Sequence, residues 1–506
     1  MIKKQPLHLF AFLLPIWMSG CALGPNFQPP EPPEGPAYSI KKTVESGSVR
    51  LSPQEKVSPQ WWKVYRSEEL NRQIDQALSR NPGLSSLKAT LLAAQEDYAA
   101  QSGDILYPDV SAGLSSERRK LSGVTFGQSG GFLYTLHNAS VTVLYNIDPF
   151  GSGRRYLESL RAKVDNQGYQ FEAAYLSLAG NIVTTVINLA ALQDQIHATK
   201  EILDSEKRQL EIVERQYHLG AVTLAEVLQQ KTALSQTRAQ LPALRKQLEQ
   251  VRHQMAVLMG VPPEAEDIAT LSLEDLHLPD AIPVSLPSEL VHQRPDILAA
   301  EAQLHQATAL VGMATANLYP SLSISAGYGR QAINFSDLLS GAASSVWNLG
   351  GSILQPLFNG GQLKAKRRQA LADFDAARSH YQQTLLQAFQ QVADVLSALQ
   401  HDVETLRIRK QTEALSLKSV SLTESQFRLG ASSYLNLLNA QQQFRSSRIA
   451  VIQARAALLA DTAALFQALG GGMQQRDTAY RPIAGDASFT HTWKKTQTSE
   501  NSHGQP

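Results

Sequence analysis

The sequence predicts a mainly α-helical protein with four β-strands of the membrane-barrel type, built from long antiparallel helical hairpins in two similar halves. Three observations predict this fold class: an internal repeat with a period of about 210 residues, two very long stretches without proline, and four short stretches of alternating polarity. The 506 residues include 46 Lys plus Arg against 45 Asp plus Glu. This balance gives no electrostatic argument for a nucleic-acid partner.

Residues 1–20 have the layout of a lipoprotein signal peptide. Lys3 and Lys4 precede an apolar run that is too short to span a bilayer, and small residues lead into Cys21. Cys21 is the only cysteine in the sequence, which excludes an internal disulfide and a multi-cysteine metal site. We expect Cys21 to begin the mature chain and to carry N-acyl and S-diacylglycerol lipid, with no other cofactor. The alternative is a plain signal peptide with an incidental cysteine.

Residues 21–65 are predicted to be a Pro-rich tether followed by a segment that packs on the body of the protein. Six prolines lie within residues 24–36, and we expect this stretch to lie extended over a surface without hydrogen-bonded structure of its own. We interpret Trp61 and Trp62 as a buried anchor and not as a ligand platform. Residues 473–506 are polar and lack periodicity, which is typical of a mobile tail.

The chain is predicted to be internally duplicated. The motif that begins at Tyr217, with Leu-Gly-Ala at its centre, returns 210 residues later at Phe427. A Leu-Tyr-Pro motif with its tyrosine at Tyr107 returns 212 residues later at Tyr319. Such a long period excludes a solenoid of short repeats and indicates two similar halves.

The two halves span residues 66–270 and 271–472, and each is predicted to contain a helix, two strands, a very long helix, a tight turn and a return helix. The long helices are expected over residues 153–219 and 362–429, where proline is absent. At 1.5 Å per residue the second would be roughly 100 Å long. Because a compact domain cannot bury such helices, they indicate a coiled coil or a helical barrel.

Both turns between long and return helices carry helix-termination and helix-start signals. Gly220 and Gly430 suit C-caps in the left-handed conformation. Thr223 and Ser433 are expected to cap the return helices that follow. The sequence therefore predicts a tight helical tip at 220 and a second one at 430.

Four stretches alternate apolar with small polar residues, as expected for strands with one apolar and one polar face. The predicted strands cover residues 107–118, 135–148, 319–330 and 345–356. The segments that join them, 115–134 and 329–345, are rich in Gly and Ser and are expected to be extracellular loops.

The strands are expected to cross a membrane, because we find no apolar run after Cys21 that is long enough for a spanning helix. Four strands cannot close a barrel, so closure needs an oligomer of two chains with eight strands or three chains with twelve. The alternative is two soluble hairpins packed on the helices.

In this order the motifs resemble the outer membrane factor family, the TolC/OprM-like (NodT-type) lipoprotein channels of tripartite efflux systems. The resemblance is carried by the segments that begin at Cys21, Trp61, Asn81 and Gln355, and by the two Leu-Gly-Ala tips. It implies a homotrimer with a 12-stranded barrel in the outer membrane and an α-helical barrel in the periplasm. It also implies an equatorial region built from segments near residues 40–65 and 261–290 and from the C-terminal part.

The same resemblance implies a function: a passive, gated exit duct for drugs or other small toxic compounds. Its partners would be outer-membrane lipids, an inner-membrane pump and a periplasmic adaptor that faces the tips at Gly220 and Gly430. A protein or metal-ion export duct of the same family stays open, although the six methionines form no cluster. A structural periplasmic coiled-coil lipoprotein is the alternative from a different class.

The resemblance further implies that the channel closes near the tips. Carboxylates on the second return helix commonly constrict such channels, and here Asn436 and Asn439 occupy those places. Glu226 matches this region in the first half and is a candidate for an acid ring. Arg428 completes the set of gate candidates, and Arg428 and Arg445 are candidates for ion pairs between helical rods.

An enzyme is not expected. The sequence contains no His-Glu-x-x-His motif and no phosphate-binding loop with Gly-Lys-Ser/Thr. Catalytic, cofactor-binding and metal sites are therefore all predicted to be absent.

Overall fold

The computed structural model describes residues 22–30, 50–53, 57–127, 129–264, 268, 271–278, 281–284, 293–340 and 344–472. Three predictions lie outside the described residues: the signal peptide 1–20, the lipidation of Cys21 and the tail 473–506.

The described chain is mainly helical, with one four-stranded sheet and one small two-stranded sheet. The helices are α1 (Glu68–Arg80), α2 (Pro82–Leu106), α3 (Ser152–His218), α4 (Leu224–Met259), α5 (Pro295–Ala316), α6 (Phe335–Ser340), α7 (Gln362–Arg428) and α8 (Tyr434–Ala468). The strands are β1 (Arg50–Pro53), β2 (Asp109–Ser122), β3 (Gly131–Ile147), β4 (Ala281–Val284), β5 (Ser321–Ala332) and β6 (Ser344–Leu354). The order helix, two strands, long helix and return helix therefore occurs twice, from α2 to α4 and from α5 to α8.

Local chemistry defines where the helices begin. Asn81 caps α2, because its Oδ1 accepts hydrogen bonds from the backbone N–H of Gly83 at 2.8 Å and of Leu84 at 3.2 Å. The long helices α3 and α7 each follow a glycine with positive φ, Gly151 at 81° and Gly361 at 82°. These glycines allow the chain to turn sharply from sheet to helix in both halves.

The helices lie side by side in a layer that is four helices wide. Next to the sheet, α3 packs between α2 and α5, and α5 packs on α7. At the other end, α3 packs between α4 and α8, and α8 packs on α7. Each 67-residue helix, α3 and α7, therefore runs the whole length of the layer, roughly 100 Å at 1.5 Å per residue.

The two long helices differ in burial. In α3, 25 of 67 residues are buried, whereas in α7 only seven of 67 are. Leucines at 386, 415 and 422 of α7 are each about 60% exposed. Helix α3 therefore lies in the middle of the layer, and α7 lies at its edge with an uncovered face.

The four-stranded sheet is antiparallel throughout, with the order β2-β3-β5-β6. One row across it pairs Ala112 with Val141, Val141 with Tyr328, and Tyr328 with Trp347. Because side chains alternate in a strand, the row of Val110, Val143, Ala326 and Leu349 lies on the same face, and these two rows are apolar. The predicted alternation is thus present as one apolar and one polar face.

The loops are shorter than expected. Residues 119–122 and 131–134 belong to β2 and β3, although the sequence predicted them only in a loop. Their charged and polar side chains project from paired backbone, as at Lys120 opposite Leu133, so pairing continues despite the polar composition. The second joining segment contains the short helix α6.

An apolar core lies midway along the helical layer and surrounds a short 3₁₀ helix, Trp61–Tyr65. Trp61 and Trp62 are each 1% exposed, which confirms the prediction of a buried anchor. The Tyr65 hydroxyl donates to the Leu459 carbonyl of α8 at 2.8 Å. Strands β1 and β4 pair in parallel, as the resemblance implied for a mixed equatorial region.

The expectation that no later segment is apolar enough to span a bilayer as a helix was wrong. Helices α3 and α8 each contain an 18-residue window of mean hydropathy 1.5. The window in α3 is 67% buried inside the protein and that in α8 is 33% buried. Ala-rich helices that pack on neighbours reach such values, so length and hydropathy alone do not place a helix in lipid.

The N-terminal segment 22–30 forms no helix or strand and lies over the helices, as expected for a tether without hydrogen-bonded structure of its own. It is nevertheless bonded to the body of the protein: Leu23 N–H donates to the Phe150 carbonyl, and Arg155 of α3 donates to the Leu23 carbonyl and to Asn26 Oδ1. The rest of the predicted tether, residues 31–36, lies outside the described residues.

Candidate functional site

The end of the helical layer opposite the sheet is formed by two matching tips. Gly220 and Gly430 both have φ of 74°, the left-handed conformation that the sequence predicted for these C-caps. Leu219 and Leu429, which precede them, are each 84% exposed. The tips therefore present a leucine and a glycine to the outside in an almost identical way.

Each return helix begins with the predicted cap. Glu226 Oε2 accepts a hydrogen bond from the Thr223 backbone N–H at 2.6 Å and one from its hydroxyl at 3.2 Å. Thr223 and Glu226 thus form a capping box at the start of α4. Ser433 Oγ accepts from the Asn436 backbone N–H at 3.3 Å at the start of α8.

The gate candidates lie on or beside the tips. Asn436, Asn439 and Arg428 are exposed, and the two asparagines are three residues apart on α8, so they share one side of the helix. Glu226 is half-buried, and its carboxylate is engaged by the capping box. The roles of these four residues in a gate stay predictions.

Just above the tips, the two hairpins are joined by a buried apolar cluster. Val213 of α3, Val227 of α4 and Leu437 of α8 are each at most 3% exposed. Tyr434, 2% exposed, completes the cluster, and its ring lies 5.4 Å from that of Phe427. Hydrophobic contact therefore holds the four helix ends of one chain together.

A buried polar network continues from this cluster. The Tyr434 hydroxyl donates to Gln230 Oε1, and Gln230 Nε2 donates to the Glu206 carbonyl at 3.0 Å. Arg445 Nη1 lies 3.2 Å from Glu206 Oε1 and also donates to Thr237 Oγ1. Arg445 therefore forms the ion pair between helical rods for which it was a candidate, and here the rods belong to one chain.

The electrostatics of Glu206 follow from its burial. The residue is 5% exposed, and its Oε2 has no hydrogen-bond partner among the described residues. Burial raises the pKa of Glu206 above its usual value, while the hydrogen bond of Thr237 and the charge of Arg445 act against this rise. Glu206 is therefore a buried carboxylate whose negative charge Arg445 stabilises.

Sequence reasoning proposed Arg445 for an ion pair between rods but missed its partners Glu206 and Thr237, although the repeat contains a signal for them. Glu206 and Thr237 lie 210 residues before Ser416 and Ser447. The two serines form the equivalent neutral contact in the second hairpin, with their Oγ atoms 2.7 Å apart. A charged residue where the other half has serine marks the place at which the two hairpins interact differently.

The described residues contain no group of three or more His, Cys, Asp or Glu side chains that could hold a metal ion.

The comparisons with known proteins agree with this architecture. The family model described as "outer membrane efflux protein" matches residues 73–261 and 286–471. The pyoverdine export outer membrane protein OpmQ of Pseudomonas aeruginosa is 31% identical over 82% of this chain and 88% of its own length. The antibiotic efflux pump outer membrane protein ArpC of Pseudomonas putida is 28% identical over 93% of this chain and 96% of its own.

A solved structure of the outer-membrane channel OprN superposes with a TM-score of 0.82 at 28% identity. It covers 89% of this chain and 99% of the channel chain. With the family model matched over both halves, the chain belongs to the outer membrane efflux protein family and is a protein of the outer membrane.

Proposed function

We propose that three copies of this chain close into one continuous duct, through which small organic compounds leave the periplasm across the outer membrane. In this proposal the chain is a passive, gated exit channel with no catalytic role. The observation that carries it is the four-stranded sheet, which combines an apolar face with two unpaired edges.

The edges β2 and β6 each have one neighbour in the sheet of the described chain. On the apolar face, Val110, Leu114, Trp347 and Leu349 are between 62% and 76% exposed. Such a face suits lipid, but an open strand edge does not, because its backbone N–H and C=O groups would lack partners in hydrocarbon. Pairing β2 of one copy with β6 of the next removes the edges, and three copies give a barrel of twelve strands.

The helical layer supports the same closure. Its edge helix α7 has an uncovered face with leucines, and the opposite edge is formed by α2 and α4. Placing α7 of one copy against α2 and α4 of the next would continue the layer around an axis. The family model matches the chain twice, which supports an internal duplication. Each half would then contribute one helical hairpin to the wall of the duct.

The lipid anchor at Cys21 is part of the proposal. Small residues before the cysteine and an apolar run upstream support cleavage and acylation at this position. Replacing Cys21 with alanine is expected to abolish incorporation of labelled palmitate while the protein still folds. Labelling that persists in the Cys21→Ala protein would rule out this anchor.

The tips are the proposed contact with a periplasmic adaptor, which would connect the duct to an inner-membrane pump. Leu219 and Leu429 are exposed apolar side chains at the end of the molecule, and an adaptor would cover them. Gating by Asn436, Asn439, Glu226 and Arg428 belongs to this same end.

The substrate class rests on the relatives. The names of OpmQ and ArpC refer to pyoverdine export and antibiotic efflux, both of which concern small organic compounds. We therefore propose small organic cargo in preference to proteins or metal ions.

The first test is the oligomer mass of detergent-purified protein, measured on the same sample as its planar-bilayer conductance. A trimer with a small, gated conductance is expected. A monomer that never conducts would refute the duct and would leave a helical periplasmic lipoprotein. Conductance from a dimer would refute the twelve-stranded closure but not the channel.

A further inference from the structure

Residues 22–27, directly after the proposed lipid-bearing cysteine, lie against α3 and α5 just beneath the sheet. The Leu23 backbone N–H donates to the Phe150 carbonyl at 3.1 Å, at the joint between β3 and α3. Ala22 touches the same joint, because a Cβ built on Gly151 would lie 2.7 Å from the Ala22 Cα. The segment therefore starts in contact with the end of the membrane-facing sheet.

Arg155 of α3 holds this segment from below. It is 4% exposed, and its guanidinium donates to the Leu23 carbonyl at 3.2 Å and to the Gly24 carbonyl at 3.5 Å. A third bond reaches Asn26 Oδ1 at 2.6 Å, and a fourth reaches Glu158 Oε2 at 2.7 Å. Only arginine has enough donors in a fixed fork to serve these acceptors together.

The other end of the segment is held by Phe27. Its ring stacks on His305 of α5, with centroids 4.3 Å apart and 12° between the planes. His305 Nε2 lies 3.0 Å from Glu158 Oε1, so the carboxylate that orients Arg155 also contacts the histidine under the phenyl ring. Phe27 also packs on an apolar cluster of α5 and α7, formed by Leu304, Ala307, Phe374 and Ala377.

Between these ends the segment passes very close to α5. Gly24 has φ of 94°, and a Cβ built on it would lie 2.4 Å from the Gly312 Cα. Both the conformation and the space therefore require glycine at position 24. The segment touches α3, α5 and α7, three neighbouring helices of the layer.

We propose that Arg155 is the positioning residue for the mature N-terminus: it locks residues 22–27 as a strap across α3, α5 and α7. The acyl chains on Cys21 then leave the protein at the level where the sheet meets the helices. This inference rests on the proposed lipid anchor and on the proposed membrane-spanning sheet. It also explains why the start of the strap lies at the end of β3, since both positions would then lie at the same membrane surface.

The charges around Arg155 support a permanent lock. Burial alone would raise the pKa of Glu158, but the hydrogen bonds of Arg155 and His305 outweigh it and hold this pKa below its usual value. Glu158 therefore stays ionised and keeps the guanidinium pointed at the strap.

Chymotrypsin cleavage after Phe27 tests the strap, because it separates the lipidated N-terminus from the rest of the chain. The detergent-purified full chain, labelled with palmitate, is compared with the variants Arg155→Ala and Gly24→Ala. Arg161→Ala, an exposed arginine on α3, and Gly103→Ala, which has open space around it, are the matched controls. Losing a hydrogen bond to a charged group raises the population of the detached, cleavable strap more than tenfold. Both test variants should therefore lose the label at least about tenfold faster than the controls.

Gly24 is exposed, so its substitution displaces the strap without removing a side chain from the helical core. Equal cleavage of Gly24→Ala, Arg155→Ala and both controls would overturn the strap. Intact mass reports the loss of the N-terminus with or without the label. An unlabelled wild-type chain that is nevertheless protected at Phe27 would refute the lipid anchor and support the strap, so the two failures are distinguishable.

Discussion

Replacing Arg445 with alanine leaves the buried carboxylate of Glu206 without its ion-pair partner. The change should loosen the contact between the two hairpins near the tips. Removing one partner of a buried ion pair costs about 3–5 kcal/mol, because the other charge is left without compensation. The side chains of Arg445 and Glu206 are 15% and 6% exposed, so some water reaches the pair. We therefore expect a loss near the lower limit, about 3 kcal/mol, or roughly a 150-fold change in the local opening equilibrium.

Native-state hydrogen exchange of the amides at the start of α8 measures this local opening directly. Arg448→Ala is the matched control, because Arg448 pairs with Glu201 on the same two helices with side chains that are 32% and 46% exposed. Such an exposed pair is worth at most about 1 kcal/mol. Exchange that is equally fast in Arg445→Ala and Arg448→Ala would refute the reasoning from burial.

The pH dependence gives a second check. Burial raises the pKa of Glu206 above its ordinary value of 4.5, and without Arg445 it should rise further. An acid whose folded-state pKa is raised costs stability as the pH rises above its ordinary pKa, and this cost is complete above the raised pKa, so the defect of Arg445→Ala should be full near neutral pH and shrink toward pH 4.5. Adding Glu206→Gln should recover part of the loss at neutral pH; a double variant as loose as the single one would contradict the argument.

Three further predictions concern the tip, the middle of the hairpin and the core. Asn439→Asp should increase cation preference, read as a shifted reversal potential in bilayers. Burial and the neighbouring Asp461 raise the pKa of Asp402 from 3.8 to about 6, so stability should fall as the pH rises from 3.8 to about 6, and Asp402→Asn should flatten this dependence of Tm. Tyr65→Phe removes the bond to the Leu459 carbonyl and should cost about 1–2 kcal/mol in thermal unfolding.

Each of these has a neutral comparison on the same chain. Asn439→Gln keeps the tip uncharged, Asp394→Asn alters an exposed carboxylate on α7, and Tyr107→Phe alters a tyrosine that is 66% exposed. An unchanged reversal potential for Asn439→Asp would exclude a lumen-facing position. The same dependence of Tm on pH for Asp402→Asn and wild type would contradict the argument from the pKa of Asp402. Equal losses of stability for Tyr65→Phe and Tyr107→Phe would contradict the argument from the Tyr65 hydrogen bond.

The helical part of the fold was predictable because its signals are local. Absence of proline over residues 362–429 predicted α7, which spans Gln362–Arg428, and Gly220 and Gly430 marked turns that need positive φ. The strand ends were harder to place. Charged residues such as Lys120 were interpreted as loop, yet backbone pairing with β3 continues past them because a side chain that points away from the sheet does not interrupt the hydrogen bonds.

The contacts between the hairpins were not predictable in the same way. Glu206 and Arg445 are separated by more than two hundred residues, and each alone is an ordinary charged residue on a helix. The same applies to Arg155, two of whose four acceptors are backbone carbonyls of a segment far upstream. Carbonyl acceptors leave no trace in composition or spacing, so the sequence predicted an extended tether over a surface but not the arginine that holds it.

The unequal burial of α3 and α7 has a consequence for the order of folding and assembly. With its central helix already covered by neighbours from the same polypeptide, one newly exported copy can complete most of its own interior alone. The bare side of α7 is then the last surface to find a partner in the proposed trimer. Substitutions there should leave a single copy intact and lower the yield of complete ducts, in a manner that depends on protein concentration.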